Sequence, residues 1–400
     1  MTRPPSPPPR RRPPAGPESP ARARSPLPWR AALGRSPLPW RAAPGRSPLP
    51  WRAALALSLA LAGACRPDFD RGPSLVEGAR VLAVRSTPAE ARPGEPVTFR
   101  ALFVDPSGAR ADIFTEWAFC NERKPLTELG PVASACLVPS GPALAPFGSG
   151  ASAGAALPAE GCRLFGPDPP EAKAGEPPGR PVDPDASGGY YQPLRLLYTV
   201  NGGEPRYALG GTRLVCGLAG VNQDTFAEFG RRYRPNENPA LASLRALLPN
   251  GDALALSPEG EGEPARVAPG TRLRFVAAWP ACPASDACGD AICGIDETAA
   301  DCPADCTKPV GCGGAERYLA LDPETRVLAE RRETMRVTWF SPAGRFDDDA
   351  TGEGGEAAGP DESSNGWVAP DAPASVPLWV VVRDDRGGVA FASYRVDVGG

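Results

Sequence analysis

One stretch of this sequence occurs twice. ARPGEPVTFRALF at 91–103 lines up with VAPGTRLRFVAAW at 267–279, so that Pro93/Pro269, Gly94/Gly270, Phe99/Phe275, Ala101/Ala277 and Phe103/Trp279 coincide. Each copy is a Pro-Gly turn feeding a strand, and Val97, Phe99, Ala101 and Phe103 alternate onto one face with the period of two that β-structure requires. Downstream, FTEWAF (114–119) is matched by RVTWFS (336–341). YYQPLRLLYTVNGG (190–203) is matched by SVPLWVVVRDDRGG (375–388), which continues into VAFASYRVDV as a hairpin partner. A repeat on this scale means two copies of one unit. Short strands, frequent Gly/Pro turns and a Trp in a central strand predict a β-sandwich for each copy. The expected fold is therefore mainly β: two immunoglobulin-like sandwiches, at 79–220 and 239–400, joined by a short helix at 221–238.

That helix is read from VNQDTFAEFGRRYRPNENP, where Phe226, Phe229 and Tyr233 share a face, Asn222 or Asp224 caps the start and Pro235 stops it. The aromatic stripe is expected to pack on a neighbouring domain. The Gly-, Ala- and Pro-rich stretches 138–160 and 166–189 are expected to be disordered or loosely packed. RFDDDATGEGGEAAGPDESSNG (345–366) is expected to be a solvated loop, with Ca2+ at Asp347, Asp348 and Asp349 as the minority reading, since neighbouring acids on a strand point to alternate faces.

Eleven cysteines are an odd number. Setting Cys65 aside leaves ten: Cys120, Cys136, Cys162, Cys216, Cys282, Cys288, Cys293, Cys302, Cys306 and Cys312. An even set in an exported chain predicts five disulfides. The last six fall in CPASDACGDAICGIDETAADCPADCTKPVGC, an insert at 281–313 in the second sandwich with too little apolar content for a core, so bridges must hold it. Six cysteines allow about 15 connectivities, and spacing does not choose among them. No cofactor is expected. A Ca2+ ion on Asp290, Asp296, Glu297, Asp301 or Asp305 and a four-thiolate zinc site remain as lesser alternatives.

The odd cysteine has its own setting. AALALSLALAGA (53–64) is an apolar run too short to span a membrane, preceded by Arg46 and Arg52 and ending in small residues before Cys65. That is the plan of a secretion signal. The end LAGAC resembles a bacterial lipobox, although Ala62 stands where leucine is usual. Cleavage there leaves Cys65 at the N-terminus as the lipidation site, and 65–78 as a tether. Arg66 rather than Asp follows, which favours the outer membrane over inner-membrane retention. The first 64 residues carry eleven arginines, one acid and a tandem RSPLPWRAA repeat. They cannot bury a core and are expected to be disordered. The tandem repeat fits duplicated DNA or a start codon placed too early.

Composition then excludes function classes. With no histidine, Ser-His-Asp, Cys-His and HExxH chemistries are out. From Cys65 on, 46 acids outnumber 32 bases, which argues against a nucleic-acid partner. The final segment, GWVAP to SYRVDV, resembles the end of PKD-like and other immunoglobulin-like modules of bacterial surface proteins. The chain from CRPDFDRGPSLV onward resembles predicted exported lipoproteins of myxobacterial type, and the insert resembles their CGDGxC…E…CPxDC modules. The resemblance covers most of 65–400. It implies surface exposure and a binding or structural role, and brings no catalytic residues. The expectation is a non-enzymatic cell-envelope lipoprotein, held to the membrane by its lipid, with a protein or glycan partner. The alternatives are a glycan-binding module, with Tyr190 and Tyr191 as its aromatics, and a carboxylate-pair glycan hydrolase.

Overall fold

The structure is a computed structural model and describes residues 72–169, 171, 184–283, 286–307, 310–322, 324–352 and 361–399. Contacts divide the chain into Met1–Pro67 and Asp68–Gly400, and every described residue belongs to the second unit. The leader, the signal segment and Cys65 lie outside the described residues.

Nine strands precede the helix: β1 Arg80–Thr87, β2 Glu90–Ala91, β3 Pro96–Asp105, β4 Gly108–Ala109, β5 Thr115–Cys120, β6 Leu144–Ser149, β7 Ser152–Ala156, β8 Tyr190–Tyr198 and β9 Arg206–Leu214. They form two sheets, one ordered β2-β9-β8-β5-β6 and the other built from β1, β3, β4 and β7. The inner faces meet over Val97, Phe99, Ala101, Trp117, Phe119, Leu194 and Leu196. Beyond the helix α1 (Gln223–Arg232) come β10 Ser243–Leu247, β11 Ala253–Leu256, β12 Ala265–Val267, β13 Arg272–Ala278, the hairpin β14 Arg317–Leu321 and β15 Leu328–Arg332, β16 Arg336–Phe340, β17 Arg345–Phe346, β18 Ala350–Gly352, β19 Glu362–Val368, β20 Ala374–Arg383 and β21 Val389–Val398. Their sheets run β12-β21-β20-β16-β18 and β11-β10-β13-β19-β17.

The two orders correspond strand for strand. In each sandwich a short strand (β2, β12) pairs in parallel with the last strand, while the remaining equivalent pairs are antiparallel. The register agrees as well. Trp117 faces Leu196 and Trp339 faces Val380, three residues after Pro193 and Pro377 respectively. Phe99 lies 6.0 Å from Trp117, and Phe275 lies 6.4 Å from Trp339. The sequence repeat is thus a repeat of two immunoglobulin-like β-sandwiches.

The sandwiches are stacked, which the repeat alone does not require. The outer face of β1 and β3 (Leu82, Ala83, Leu102, Val104) packs on the outer face of β16, β20 and β21 (Phe340, Trp379, Val381, Val389). Four sheets therefore lie in succession. β20 sends Val376, Leu378, Val380 and Val382 into its own sandwich and Trp379 and Val381 into the joint, and a strand covered on both faces reads as a continuous apolar run.

Two expectations are corrected. Most of 138–160 is the β6–β7 hairpin, pairing with β5 on one side and β3 on the other. Small side chains in SAGAA let it close the sandwich edge, so its composition resembles a loop. Of 166–189, residues 170 and 172–183 lie outside the described residues. The described turn is fixed by Asp185, which accepts from Ser187 and Gly189 N at 2.9 and 2.8 Å. Likewise 345–352 is two strands and a corner. Asp347 pairs with Arg272 at 2.5 Å, and Asp349 accepts from Ser74 Oγ at 2.7 Å. These acids serve separate partners and do not converge on one point.

Candidate functional site: an inter-sandwich cleft over a buried charge network

The β20–β21 turn, Asp384-Asp385-Arg386-Gly387-Gly388, points into the joint. Gly387 and Gly388 permit this: a Cβ on Gly387 would sit 2.8 Å from the Tyr191 ring, and one on Gly388 would sit 2.9 Å from the Glu237 carbonyl. Arg386 is fully buried. Its Nε donates to Glu333 at 2.5 Å, Nη2 to Glu316 at 2.9 Å and Nη1 to the Arg234 carbonyl at 3.0 Å, and it lies over the Tyr318 ring. Asp384 accepts from Arg386 N, Gly388 N and Asn236 Nδ2. Beside this group Glu90, from β2, pairs with Arg213 of β9 at 3.3 Å, accepts Asn236 N at 2.7 Å and holds the Tyr233 hydroxyl. Residues 234–238 are therefore a seam bonded to both sandwiches: Asn238 donates to Ser86 O at 2.7 Å and accepts Val389 N at 2.9 Å.

Three buried carboxylates crowd one arginine here, two on its guanidinium and Asp384 on its backbone amide. Burial pushes Glu333 well above the usual carboxylate range. It also raises Glu316 and Asp384, although Arg386 draws each of them down. Burial disfavours the charge on Arg386, yet Glu333 and Glu316 hold its proton more firmly than an ordinary arginine does.

The insert closes over this network. Its bridges are Cys282–Cys312, Cys288–Cys302 and Cys293–Cys306, the last two crossing; the sandwich bridges are Cys120–Cys136 and Cys162–Cys216. All ten expected cysteines are thus paired in five bridges. Arg317 clamps the insert through Asp286 at 3.0 Å, and Arg232 of α1 does so through Asp296 at 2.7 Å. Between the insert, the seam and the β1–β2 corner lies a cleft of about 480 Å³. Glu237, Glu316, Gly311, Arg85, Asn236 and Ile292 are among its lining residues.

The acids expected as calcium candidates are spread about the insert. Asp305 is buried and accepts Gly289 N and Ala291 N, Asp290 accepts Ile292 N, and Glu297 accepts Gly294 N. Asp301 takes the Thr298 hydroxyl, and Asp296 faces Arg232 and Arg317. Each acts as a loop cap or ion-pair partner. Among the described residues the one carboxylate near two sulfurs is Glu297, beside Cys288 and Cys302 and beside Cys293 and Cys306, and all four sulfurs are in disulfides. Tyr191 is held by Asp185 and by the Arg386 carbonyl at 3.1 Å. Phe229 of α1 lies against Tyr233 with ring centroids 4.6 Å apart, whereas Phe226 stands 55% exposed: only part of the stripe packs. The five tryptophans of the sandwiches, Trp117, Trp279, Trp339, Trp367 and Trp379, are all buried.

No protein-family model matches the chain, and a search of curated proteins finds no match. Among solved structures the chain is similar to the D00-D0 domain of intimin, with 8% identity, a TM-score of 0.18 and coverage of 81% of this chain and 99% of that one. It is also similar to dimeric latent PorU from Porphyromonas gingivalis (9% identity, TM-score 0.16, 81% of this chain and 24% of that one). A third similarity is to native E. coli alpha-2-macroglobulin (9%, 0.18, 81% and 16%). Overlap at this level carries no functional inference, and the fold rests on the sheets themselves.

Arg386, Glu316, Glu333, Glu90 and Glu237 were not legible as site residues. The available signal was RDDRGG itself, where two acids and an arginine precede two glycines that let a turn approach another chain segment closely.

Proposed function

We propose that this chain is a non-enzymatic, exported lipoprotein of the cell envelope, anchored through Cys65, that presents two stacked immunoglobulin-like sandwiches for binding, adhesion or scaffolding. The carrying observation is the joint. Its perturbed acids, Glu316, Glu333 and Asp384, are bonded to Arg386 and to backbone amides, and they spend their chemistry on fixing one sandwich against the other. Five disulfides suit an oxidising compartment outside the cytoplasm. The lipid, rather than a spanning helix, is the proposed hold on the membrane, with the outer membrane as its place. No cofactor or nucleic-acid partner belongs to this reading.

The test is the intact mass of the native protein extracted from membranes, before and after reduction and alkylation. The expected mass starts at Cys65 and carries acyl chains, with ten cysteines alkylated only after reduction. A retained leader or free thiols overturns the reading.

A second reading, a carboxylate-pair glycan hydrolase, draws on Glu237 and Glu316 sharing the cleft and on the raised Glu316 carboxyl. Against it, Glu316 is committed to Arg386 at 2.9 Å. Turnover of envelope glycans by the purified protein, lost in Glu237→Gln, decides for it.

A further inference from the structure

We propose that the inter-sandwich cleft is a binding site for a peptide carrying a basic side chain, with the Glu237 carboxylate, backed by Glu316, receiving its lysine ammonium or arginine guanidinium. This deepens the binding role proposed above and rests on it.

Glu237 and Glu316 approach each other across Gly311. A Cβ on Gly311 would strike the Glu316 carboxylate and come within 3.2 Å of the Glu237 carboxyl carbon. Glycine at this position thus leaves space that two carboxylates share. Glu316 already divides the Arg386 guanidinium with Glu333, and Asp384 accepts from the Arg386 backbone amide. Two carboxylates therefore share one guanidinium, and Glu237, which adjoins Glu316, is turned to the cleft without a hydrogen bond of its own among the described residues. Five acids line the cleft against three arginines, of which only Arg85 has a side chain with no partner among the described residues. Arg317 is taken by Asp286, Asp296 and Glu330. Arg234 donates to the carbonyls of Arg231, Tyr233, Cys293 and Glu297.

The rest of the lining matches a peptide better than a bare inorganic cation. Pro88, Pro235, Ile292, Ile295 and Val310 give apolar walls, the surroundings in which the alkyl stem of a lysine is buried while its head meets a charge. About 480 Å³ suits a ligand of a few residues. Two lining residues also carry unpaired polar atoms. Asn236, 2% exposed, has a side-chain Oδ1 with no hydrogen-bond partner, and Arg85 has an unpaired Nε.

The experiment is calorimetric titration of the native, disulfide-intact protein with acetyl-Ala-Lys-Ala-amide, and with the same peptide carrying norleucine or glutamate in place of lysine. Saturable binding is expected for the lysine peptide, about tenfold or more weaker for the other two, because only lysine forms the charge-assisted bond. Glu237→Gln is expected to remove most of the discrimination between lysine and norleucine without moving the melting temperature. Gly311→Ala is expected to abolish binding by filling the shared space. If Gly311→Ala misfolds, Glu237→Gln decides alone.

Equal binding of the lysine and norleucine peptides overturns the proposal. So does unchanged affinity in Glu237→Gln, or no heat with folded protein and peptide at millimolar concentration. A chain that binds the lysine peptide yet keeps its leader upholds the cleft and removes the envelope reading. A lipidated chain that ignores the peptide does the reverse.

Discussion

Arg386 shows why a residue's neighbours in sequence are a poor guide to its surroundings. The first sandwich has the corresponding turn at 199–203, and there Asn201 is exposed. In the second sandwich the same kind of turn is driven into the joint, because a whole domain stacks against it. Replacing Arg386 by Met is expected to cost about 3–5 kcal/mol at neutral pH in urea unfolding, because Glu316 and Glu333 are left buried without their cation. The loss should shrink on acidification, as those carboxyls take up protons. The wild type carries the same sign in milder form. Glu333, Glu316 and Asp384 have raised folded values, so the folded state binds more protons than the unfolded chain. Their contribution is fully present below the ordinary carboxylate range and is lost as pH rises through the raised values. The urea midpoint is therefore expected to be at least as high near pH 5.5 as near pH 8, and Glu333→Gln should flatten that trend.

Among the elements, the strands that repeat were readable because each sandwich encodes them twice, with alternation and a Pro-Gly turn to set the phase. Trp117 and Trp339 hold equivalent places over Phe99 and Phe275, and alanine at either is expected to cost about 3–5 kcal/mol. The β6–β7 hairpin was hidden because its residues are small. SAGAA has no apolar payload of its own and is a strand only because β3 lies beside it. The insert is the opposite case: its bridges were countable from sequence, while their pairing had to come from geometry. Its described buried apolar residues are few, Cys293, Ile295 and Cys302. Removing Cys288–Cys302 by a double serine substitution is thus expected to release about 3 kcal/mol of chain entropy into the insert. Limited proteolysis should then cut within 286–307 while the tryptophan fluorescence of the sandwiches stays unchanged.

For the molecule as a whole, the described unit is four sheets deep, and the middle contact belongs to neither sandwich alone. The sequence reading had two domains on a helical joint. The continuous apolar run of β20 signals a strand covered on both faces, but which surface covers it was not legible, because that depends on the outer faces of β1 and β3, far away in sequence. Val381→Asp places a charge in that contact and is expected to split the calorimetric unfolding of the wild type, one transition, into two.

The start of the described chain is fastened to both sandwiches: Arg80 of β1 donates to the Pro73 carbonyl at 2.6 Å, and the longer set of contacts runs to the second sandwich. Leu75 bridges to Ser341, Val76 N donates to Ser341 O at 2.9 Å, Ser341 N returns to Ser74 O at 3.0 Å, and Ser74 is bonded to Asp349. That clasp joins the tether to β16 of the second sandwich. Tension applied between Ser74 and the C-terminus would pass in part across to Ser341 and then through β20 and β21, in parallel with the path through the first sandwich. The domain encoded first therefore shares the load with the clasp for as long as the clasp holds.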